Sequence, residues 1–370
     1  MTKLSIIITT VMTLWSPFKG FTQDMDYEIT DFYNSNPSLE REVIQIFDEL
    51  TDSARVAQMI VTSAGELGKS NQAVLKLASE NKIGGVVFLK GTKEKHKSLI
   101  DELNEISKVN RQIPLLFSID AEPSLLNGRL QGSHPIKNTI EIESTVESKQ
   151  IAAQINKELM EMGMHQNFAP VCDVGSENAA IKNRSFGSDR DKVIQMSKAF
   201  IEATQEGGIV ATAKHFPGHG LVDGDTHKKS VFINGELQEL DVYPPLIEAG
   251  VLSVMTAHIT IQNNQKYDTK GLPVSCSRNI VTGLLKEELG FKGLIITDAL
   301  NIMKAVTIIE DAPLVASKAG NDMLLMPVNE TETVHSILAE MQKDEEYREQ
   351  VYDSVKKIIR LKICAGIIDR

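Results

Sequence analysis

Residues 214–227 read KHFPGHGLVDGDTH and bring a Lys, three His and the carboxylate of Asp225 within fourteen residues. Pro217 lacks a backbone donor, and the glycines at 218, 220 and 224 weaken regular elements, so the segment fits neither a packed helix nor a central strand. It predicts a loop that carries polar side chains into a site, because chemistry usually sits on the loops of a rigid scaffold. The apolar run 210–213 directly before it predicts a buried strand that ends where the polar cluster begins.

The elements that must position this loop alternate between short apolar runs and helical patterns. The apolar runs predict eight strands, at 56–61, 85–89, 115–119, 167–171, 210–214, 253–258, 294–298 and 323–326. Helical patterns lie between and after them, at 71–81, 95–109, 148–162, 191–207, 236–249, 278–289, 312–319 and 330–360. This alternation predicts an α/β fold, a (β/α)8 TIM-like barrel that forms a single catalytic domain. A doubly wound open sheet is the alternative, but its nucleotide-binding glycine fingerprint is not in the sequence.

Ionisable residues stand at the carboxyl ends of five of the predicted strands. They are Asp120, Asp173, the pair Lys214 and His215, His258, and Asp298. In a parallel barrel these ends share one face, and the active site forms there. Any one of them could be a helix cap or part of a surface ion pair, but together they predict an enzyme with a polar, acid-rich pocket.

A carboxylate at a strand end that faces an acid/base group on a loop suits displacement at the anomeric carbon of a sugar. Asp298 is the candidate nucleophile, because the apolar residues on both sides of it would hold it rigidly. His227 is the candidate acid/base, and Asp225 would fix its tautomer and raise its basicity.

A metal site is the competing interpretation of the same residues. The metal-ligand types in the segment and at the strand end are His215, His219, His227 and Asp298. However, Pro217 and Gly218 break the helix that would place the first two histidines on one face. We therefore expect that the protein needs no metal and no other cofactor.

Composition excludes some classes of function. Lys and Arg total 39 against 50 Asp and Glu, a net charge of −11 that argues against a nucleic-acid partner. The cysteines, Cys172, Cys276 and Cys364, are odd in number and widely spaced, so they indicate neither a disulfide framework nor a zinc site.

The amino-terminal residues predict export. An apolar-biased run from Leu4 to Trp15 follows Lys3 and precedes a Ser-Pro break, and such a run is too short to span a bilayer but fits a signal peptide. No Cys follows the run, which argues against a lipid anchor, although the cleavage site is weak. We expect a periplasmic or secreted protein without a stable membrane anchor. An uncleaved amino-terminal anchor is the alternative. The expected organisation is a signal peptide at 1–23, a lead-in at 24–50 and a barrel at 51–370.

Residues 214–227 resemble the KHFPGHG…DxH signature of bacterial β-N-acetylhexosaminidases in glycoside hydrolase family 3. Further motifs match in the same order, namely NFAPVCD at 167–173, NRSFG at 183–187, VMTAH at 254–258, GLIITDAL at 293–300 and AGNDML at 319–324. The resemblance runs from about residue 50 to residue 365. It implies a (β/α)8-like barrel, a retaining mechanism and removal of a terminal β-linked N-acetylglucosamine (GlcNAc), often in peptidoglycan turnover.

The resemblance also implies roles for single residues. Asp298 matches the family's nucleophile, His227 its unusual acid/base histidine, and Asp225 the partner of that histidine. The residues that match sugar-binding positions are Asp120, Arg184, Lys214 and His215. The residues expected to shape the site without taking part in the chemistry are Asp173, His219 and His258.

The sequence departs from the family pattern in two loops. After Asp120 and Glu122 the family continues with Gly-Gly or Trp-Gly and then an Arg, whereas Pro123 follows here. Because Pro fixes φ and removes a donor, the loop must take a different path to bring Arg129 to the sugar. Residues 299–303 (ALNIM) are one residue longer than the common ALNM, just past the nucleophile.

We therefore expect a retaining β-N-acetylglucosaminidase whose partner is a saccharide with a terminal β-GlcNAc, from peptidoglycan fragments or related glycans. One alternative is a catalytically inactive relative that binds cell-wall saccharides, which the retained Asp298 and His227 disfavour. The other is a β-glucosidase, which the loop with Asp225 and His227 disfavours.

Overall fold

The computed structural model describes residues 27–175, 179–222, 231–302 and 304–368. Within these ranges, eight parallel strands form one sheet in which neighbours follow the order of the chain and the eighth strand lies beside the first. The seventh and eighth strands also meet, because Ile296 of the seventh bridges Met323, just before the eighth, in parallel. The sheet therefore closes into the expected (β/α)8 barrel.

The barrel strands are short and fully buried, as expected for runs of β-branched and apolar residues covered on both faces. They are β1 (Ile60–Ala64), β2 (Gly85–Phe88), β4 (Leu116–Ile119), β6 (Gln166–Asn167), β7 (Val210–Phe216), β9 (Ser253–Thr256), β11 (Leu294–Thr297) and β12 (Leu324–Leu325). Two further pairs lie outside the barrel, β3 (Gly91–Thr92) with β5 (Leu130–Gln131) and β8 (Phe232–Asn234) with β10 (Thr260–Gln262).

Two helices precede the first strand, and the others lie between and after the strands. They are α1 (Pro37–Glu49), α2 (Asp52–Ala57), α3 (Asn71–Ser79), α4 (Lys93–Asn110), α5 (Pro123–Arg129), α6 (Thr145–Met162), α7 (Arg190–Glu206), α8 (Tyr243–Glu248), α9 (Lys304–Thr307), α10 (Ala312–Ala319), α11 (Glu330–Met341) and α12 (Glu345–Cys364), with a π-helix at Asn279–Glu288. Short 3₁₀ turns lie at Ile29–Tyr33, Thr139–Glu141, Lys182–Arg184, Leu240–Val242 and Val274–Cys276. None of the helices in the described ranges is both long and apolar enough to cross a bilayer.

Several boundaries differ from the sequence expectation, and three of the differences have a clear local reason. The first strand begins at Ile60 because the Thr51 side chain accepts the N–H of Ala54 at 3.3 Å and starts helix α2 over the predicted strand residues. In 236–249 only α8 is α-helical, since two successive prolines are tolerated only in a first helical turn. The expected helix 330–360 divides into α11 and α12 because Asp344 caps a new helix, accepting the N–H of Tyr347 at 3.0 Å.

A buried lysine lies at the amino ends of the barrel strands, on the face opposite the carboxyl ends. Lys362 of α12 has no exposed surface, and its Nζ donates to Gln58 Oε1, Gly84 O and Pro114 O at 2.7–2.9 Å. These acceptors precede β1, β2 and β4, so one ammonium group ties three strand starts to the last helix. All three acceptors are neutral, and burial lowers the pKa of Lys362 to about 7.

This environment predicts a pH dependence of stability. The unfolded chain keeps the lysine proton up to its ordinary pKa near 10.4, whereas the folded chain releases it near 7, so the unfolded state binds more protons in between. The free energy of unfolding should therefore fall as the pH drops from about 10 to about 7, by up to about 1.4 kcal/mol per pH unit more than in Lys362→Met. Urea unfolding at pH 7, 8 and 9 measures this difference.

The matched control is the exposed Lys157 of α6, where the same substitution should leave the slope unchanged. Parallel pH profiles for the wild type and Lys362→Met would contradict the account.

Candidate active site

The structure brings the ionisable strand-end residues to one face of the barrel. Asp120 follows β4, His258 follows β9 and Asp298 follows β11. Lys214 and His215 are among the last residues of β7. The chain beyond β6 stays beside β7, because Val171 bridges Lys214 in parallel and leads into Asp173.

Lys214 links two carboxylates across the barrel. Its Nζ lies 2.7 Å from Asp120 Oδ1 and 2.5 Å from Glu122 Oε1. Glu122 in turn accepts two parallel bonds from the Arg184 guanidinium, both at 2.8 Å. This bidentate pairing is the strongest form of a charge-assisted hydrogen bond, and it fixes the orientation of both side chains.

The charges in this network hold one another in their ionised forms. Burial by itself would raise the pKa of Glu122, but Arg184 and Lys214 outweigh it and hold that pKa well below its usual range. Burial likewise would lower the pKa of Lys214, but Asp120 and Glu122 outweigh it and raise that pKa. Glu122 and Lys214 therefore remain charged at neutral pH.

The two carboxylates that pair with Lys214 differ in exposure: Glu122 is buried and holds its neighbours in place, whereas Asp120 is accessible to a ligand. The Glu122 side chain is 1% exposed and that of Asp120 is 22% exposed. Arg129 approaches Asp120 from the other side, with 3.7 Å between Nη1 and Oδ2. The departure at Pro123 explains how it gets there: Pro123 occupies the first turn of α5, and Arg129 is the last residue of that helix.

Asp173 is the centre of a second cluster and is fully buried. Its Oδ2 accepts the backbone N–H of His215 at 3.2 Å and lies 2.7 Å from His215 Nδ1, while Oδ1 accepts the backbone N–H of His219 at 2.9 Å. Burial would raise the pKa of Asp173, but His219 and His215 together lower it well below its usual value. The ionised carboxylate makes Nδ1 the donor of the His215 ring, so the Nε2 position is left for another partner.

The same cluster is where a metal ion could be held. One ligand atom each from Asp173, His215 and His219 lie within 4.8 Å of one another. No helix is needed to bring the histidines together, because a turn with a 2.7 Å bond from Gly218 N to His215 O folds the chain back after the strand. Both oxygens of Asp173 already accept hydrogen bonds, however, and a metal would have to displace the bond to His215. The arrangement fits a hydrogen-bonded support better than a metal centre.

Asp298 is partly exposed at the end of β11. Its backbone N–H donates to Thr256 O at 3.0 Å, and its Oδ1 accepts the N–H of Ala299 at 2.7 Å, so both backbone and carboxylate are fixed. Burial would raise the pKa of Asp298, but the imidazoles of His215 and His258 and the Ala299 bond lower it overall. An ionised, oriented carboxylate with one oxygen free of that bond can act as a nucleophile.

The other two candidate catalytic residues, Asp225 and His227, lie outside the described residues. So do residues 1–26, where a signal peptide is expected. The described part of the loop ends at Val222, three residues before Asp225.

Two buried glutamates belong to the site although the sequence did not single them out. Glu122 could have been found from its spacing, since Asp120 and Glu122 alternate after a strand and therefore point to the same side. Glu239 lies in a segment that we expected to be helical, and its carboxylate accepts N–H groups of Val174, Gly220 and Leu221. Nothing in its sequence neighbourhood signals those contacts.

A parallel barrel with ionisable residues gathered at the carboxyl ends of its strands is typical of an enzyme, with the active site at that face. The family model described as the glycosyl hydrolase family 3 N terminal domain matches residues 51–361. The chain therefore belongs to glycosyl hydrolase family 3, which confirms the resemblance found in its motifs and the expected class of enzyme, a glycosidase.

The chain is also similar to individual proteins that are named as hexosaminidases or N-acetylglucosaminidases. A beta-hexosaminidase of Vibrio cholerae is 32% identical over 255 residues, which are 66% of this chain and 75% of the relative. A beta-N-acetylglucosaminidase/beta-glucosidase of Cellulomonas fimi is 27% identical over 77% of this chain, which covers 53% of that protein. The solved structure of a family 3 beta-N-acetylglucosaminidase from Paenibacillus sp. FPU-7 superposes with a TM-score of 0.78 at 28% identity, over 86% of this chain and 63% of that one. The chain thus spans just under two thirds of the Paenibacillus protein.

The ion network makes a prediction about stability. Glu122→Gln leaves Arg184 without the carboxylate that neutralises it and leaves Lys214 with Asp120 alone, and breaking a buried pair in this way costs about 3 kcal/mol or more. Glu202→Gln removes one side of the Lys149–Glu202 pair on the surface, where 2.9 Å separate the charged atoms, and should cost less than about 1 kcal/mol. Urea unfolding of both variants measures the difference, and equal losses would show that the buried network is not special.

Proposed function

We propose that this protein is a retaining glycosidase that removes a terminal β-linked GlcNAc through a covalent intermediate on Asp298. The observation that carries the proposal is the fixed, ionised carboxylate of Asp298 at the end of β11, on the face where the charged network lies. The hexosaminidase relatives support GlcNAc as the sugar.

The sugar would be recognised through its hydroxyl groups. Asp120 is held by Lys214 and remains partly exposed, so it can accept hydrogen bonds from two neighbouring hydroxyls. Lys214, His215 and Arg184 would donate to further hydroxyl oxygens, and Arg129 would close the pocket from α5. A site built this way discriminates strongly, because a sugar that lacks a hydroxyl leaves a polar group of the site without one of its hydrogen-bond partners.

The reaction would proceed in two displacements. In the first, a carboxylate oxygen of Asp298 forms a bond to the anomeric carbon while the bond to the leaving oxygen breaks, and that oxygen takes a proton from His227. In the second, His227 removes a proton from water, the water oxygen bonds to the anomeric carbon, and the ester to Asp298 breaks. Two inversions give net retention of configuration.

His227 would work as a pair with Asp225. A carboxylate partner orients the imidazole and raises its basicity, which suits a group that must give and then take a proton near neutral pH. An imidazole in place of a second carboxylic acid also suits a leaving group or acceptor that carries negative charge. A series of neutral and anionic aglycones tests that preference.

The natural substrate would be a peptidoglycan fragment or a related glycan, encountered in the periplasm or outside the cell. Export is proposed from the amino-terminal apolar run alone, and sequencing of the mature amino terminus tests it. The Cellulomonas relative, named for both activities, makes a β-glucosidase the second candidate. Rates on an aryl β-N-acetylglucosaminide beside the matching aryl β-glucoside decide between the two, and chelator in the same assay tests the Asp173–His215–His219 cluster for a metal.

The nucleophile assignment predicts the behaviour of Asp298→Ala. Removal of the attacking carboxylate should lower turnover by about 10⁴-fold or more while GlcNAc still binds. The exposed Asp101 of α4 gives the control, and Asp101→Asn should keep full activity. Near-normal turnover by folded Asp298→Ala would contradict the assignment.

The acid/base assignment predicts a dependence on the leaving group. His227→Ala should slow substrates with poor leaving groups by about 10²- to 10⁴-fold, but activated aryl glycosides, which scarcely need protonation, by far less. The measurement is kcat on a matched pair of such substrates. Equal losses on both would mean that His227 has a structural role instead.

A further inference from the structure

Glu239 is a buried carboxylate whose partners are backbone amides. It precedes the 3₁₀ turn Leu240–Val242 and is 3% exposed. Its Oε2 accepts the N–H of Val174 at 2.7 Å and that of Gly220 at 3.2 Å, and its Oε1 accepts the N–H of Leu221 at 2.9 Å. Three donors on one carboxylate make it the meeting point of segments that are far apart in sequence.

The donors come from the loops that follow β6 and β7. Val174 is the neighbour of Asp173, and Gly220 and Leu221 follow His219 directly. These two loops are in backbone contact, because a Cβ on Gly220 would lie 2.0 Å from Val174 O. Gly218 likewise lies close to the glutamate, since a Cβ there would lie 2.4 Å from Glu239 Cβ. Gly218 also has a φ of +104°, which disfavours any side chain. Both glycines are thus required for the loop to rest on Glu239.

The loop fastened in this way is the one that leads to the acid/base pair. Leu221 is the last residue whose amide Glu239 holds, and Asp225 and His227 follow four and six residues later. On the other side, Asp173 fixes the backbone of His215 and His219. Asp173 therefore holds the backbone of the turn at residues 215 and 219, and Glu239 holds the two residues that follow, Gly220 and Leu221.

We propose that Glu239 is a positioning residue for the acid/base step, which fixes the root of the loop that carries Asp225 and His227. The proposal rests on the proposed function of His227. Glu239 does not touch substrate in this account; its effect on the reaction passes through the amides of Gly220 and Leu221.

The electrostatics show that this anchor is not a favourable place for a charge. Burial, followed by the nearby Asp173 carboxylate, raises the pKa of Glu239 to about 7, despite the three N–H groups that favour the ionised form. Burial, followed by Asp173, Cys172 and Glu239, raises the pKa of the buried Tyr243. A carboxylate in such surroundings is a poor source of folding energy, so its geometry of three acceptor contacts is its main contribution.

Glu239→Gln tests the anchor with little change of size. The amide has one oxygen, which can keep Val174 and Gly220 at the Oε2 position, but its NH₂ group then faces the N–H of Leu221, donor against donor. The substitution should therefore free the end of the loop nearest the acid/base pair. Glu236, exposed and three residues away, gives the matched control Glu236→Gln.

The expected result is a selective kinetic defect. Glu239→Gln should lower kcat about 10- to 100-fold on a GlcNAc glycoside with an unactivated alkyl leaving group and less than about 3-fold on the activated aryl glycoside, with KM little changed. Glu236→Gln should match the wild type on both. Uniform losses or no loss in Glu239→Gln, while His227→Ala shows the leaving-group dependence, would overturn the positioning role alone. Uniform losses in His227→Ala would overturn the proposed function and this inference together.

Hydrogen exchange gives a readout that needs no activity. In the wild type the amides of Gly220 and Leu221 should exchange slowly, and in Glu239→Gln the Leu221 amide should exchange at least about 10-fold faster while Val174 stays protected. Fast exchange of Gly220 and Leu221 in the wild type would overturn the anchor even if the variant did not fold.

Discussion

The charge of Lys214 is the constraint on which the rest of the site depends. An ammonium group that is 2% exposed must be neutralised, and the partners within reach are Asp120 and Glu122, which follow another strand of the barrel. That requirement joins β7 to β4 across the strand ends. Glu122 then fixes Arg184 from the loop beyond β6. The shape of the pocket thus follows from the pairing of buried charges.

The carboxylates of this face divide into two groups by what they touch. Glu122, Asp173 and Glu239 are fully buried, and each accepts hydrogen bonds from side chains or backbone of the protein itself. Asp120 and Asp298 are held by neighbours but remain partly exposed, so a ligand can reach them. Glu122 helps to fix Asp120 through Lys214, and backbone bonds to Thr256 and Ala299 fix Asp298, which is how a site on short loops can hold the geometry that displacement at an anomeric carbon requires.

The sequence was most informative where buried runs and polar strand ends coincide. Eight apolar runs and the residues that follow them predicted the barrel and the positions of Asp120, Lys214 and Asp298. Helix boundaries were less predictable because capping residues and prolines decide them. Thr51 caps the start of α2, and the prolines of α8 confine that helix to a short segment. Glu122 could have been found from its alternation with Asp120, whereas Glu239 was missed because its role arises from a contact 65 residues away, to Val174, which no local pattern encodes.

The central claim is that Asp298 forms a covalent bond to the sugar, and mass spectrometry of a trapped intermediate tests it most directly. The protein would be treated with a fluorinated GlcNAc derivative whose glycosyl-enzyme breaks down slowly, and then digested and mapped. The account predicts one sugar residue attached to the peptide that contains Asp298, and a product that retains the β configuration. A sugar attached to another carboxylate, or an inverted product with no adduct, would contradict it.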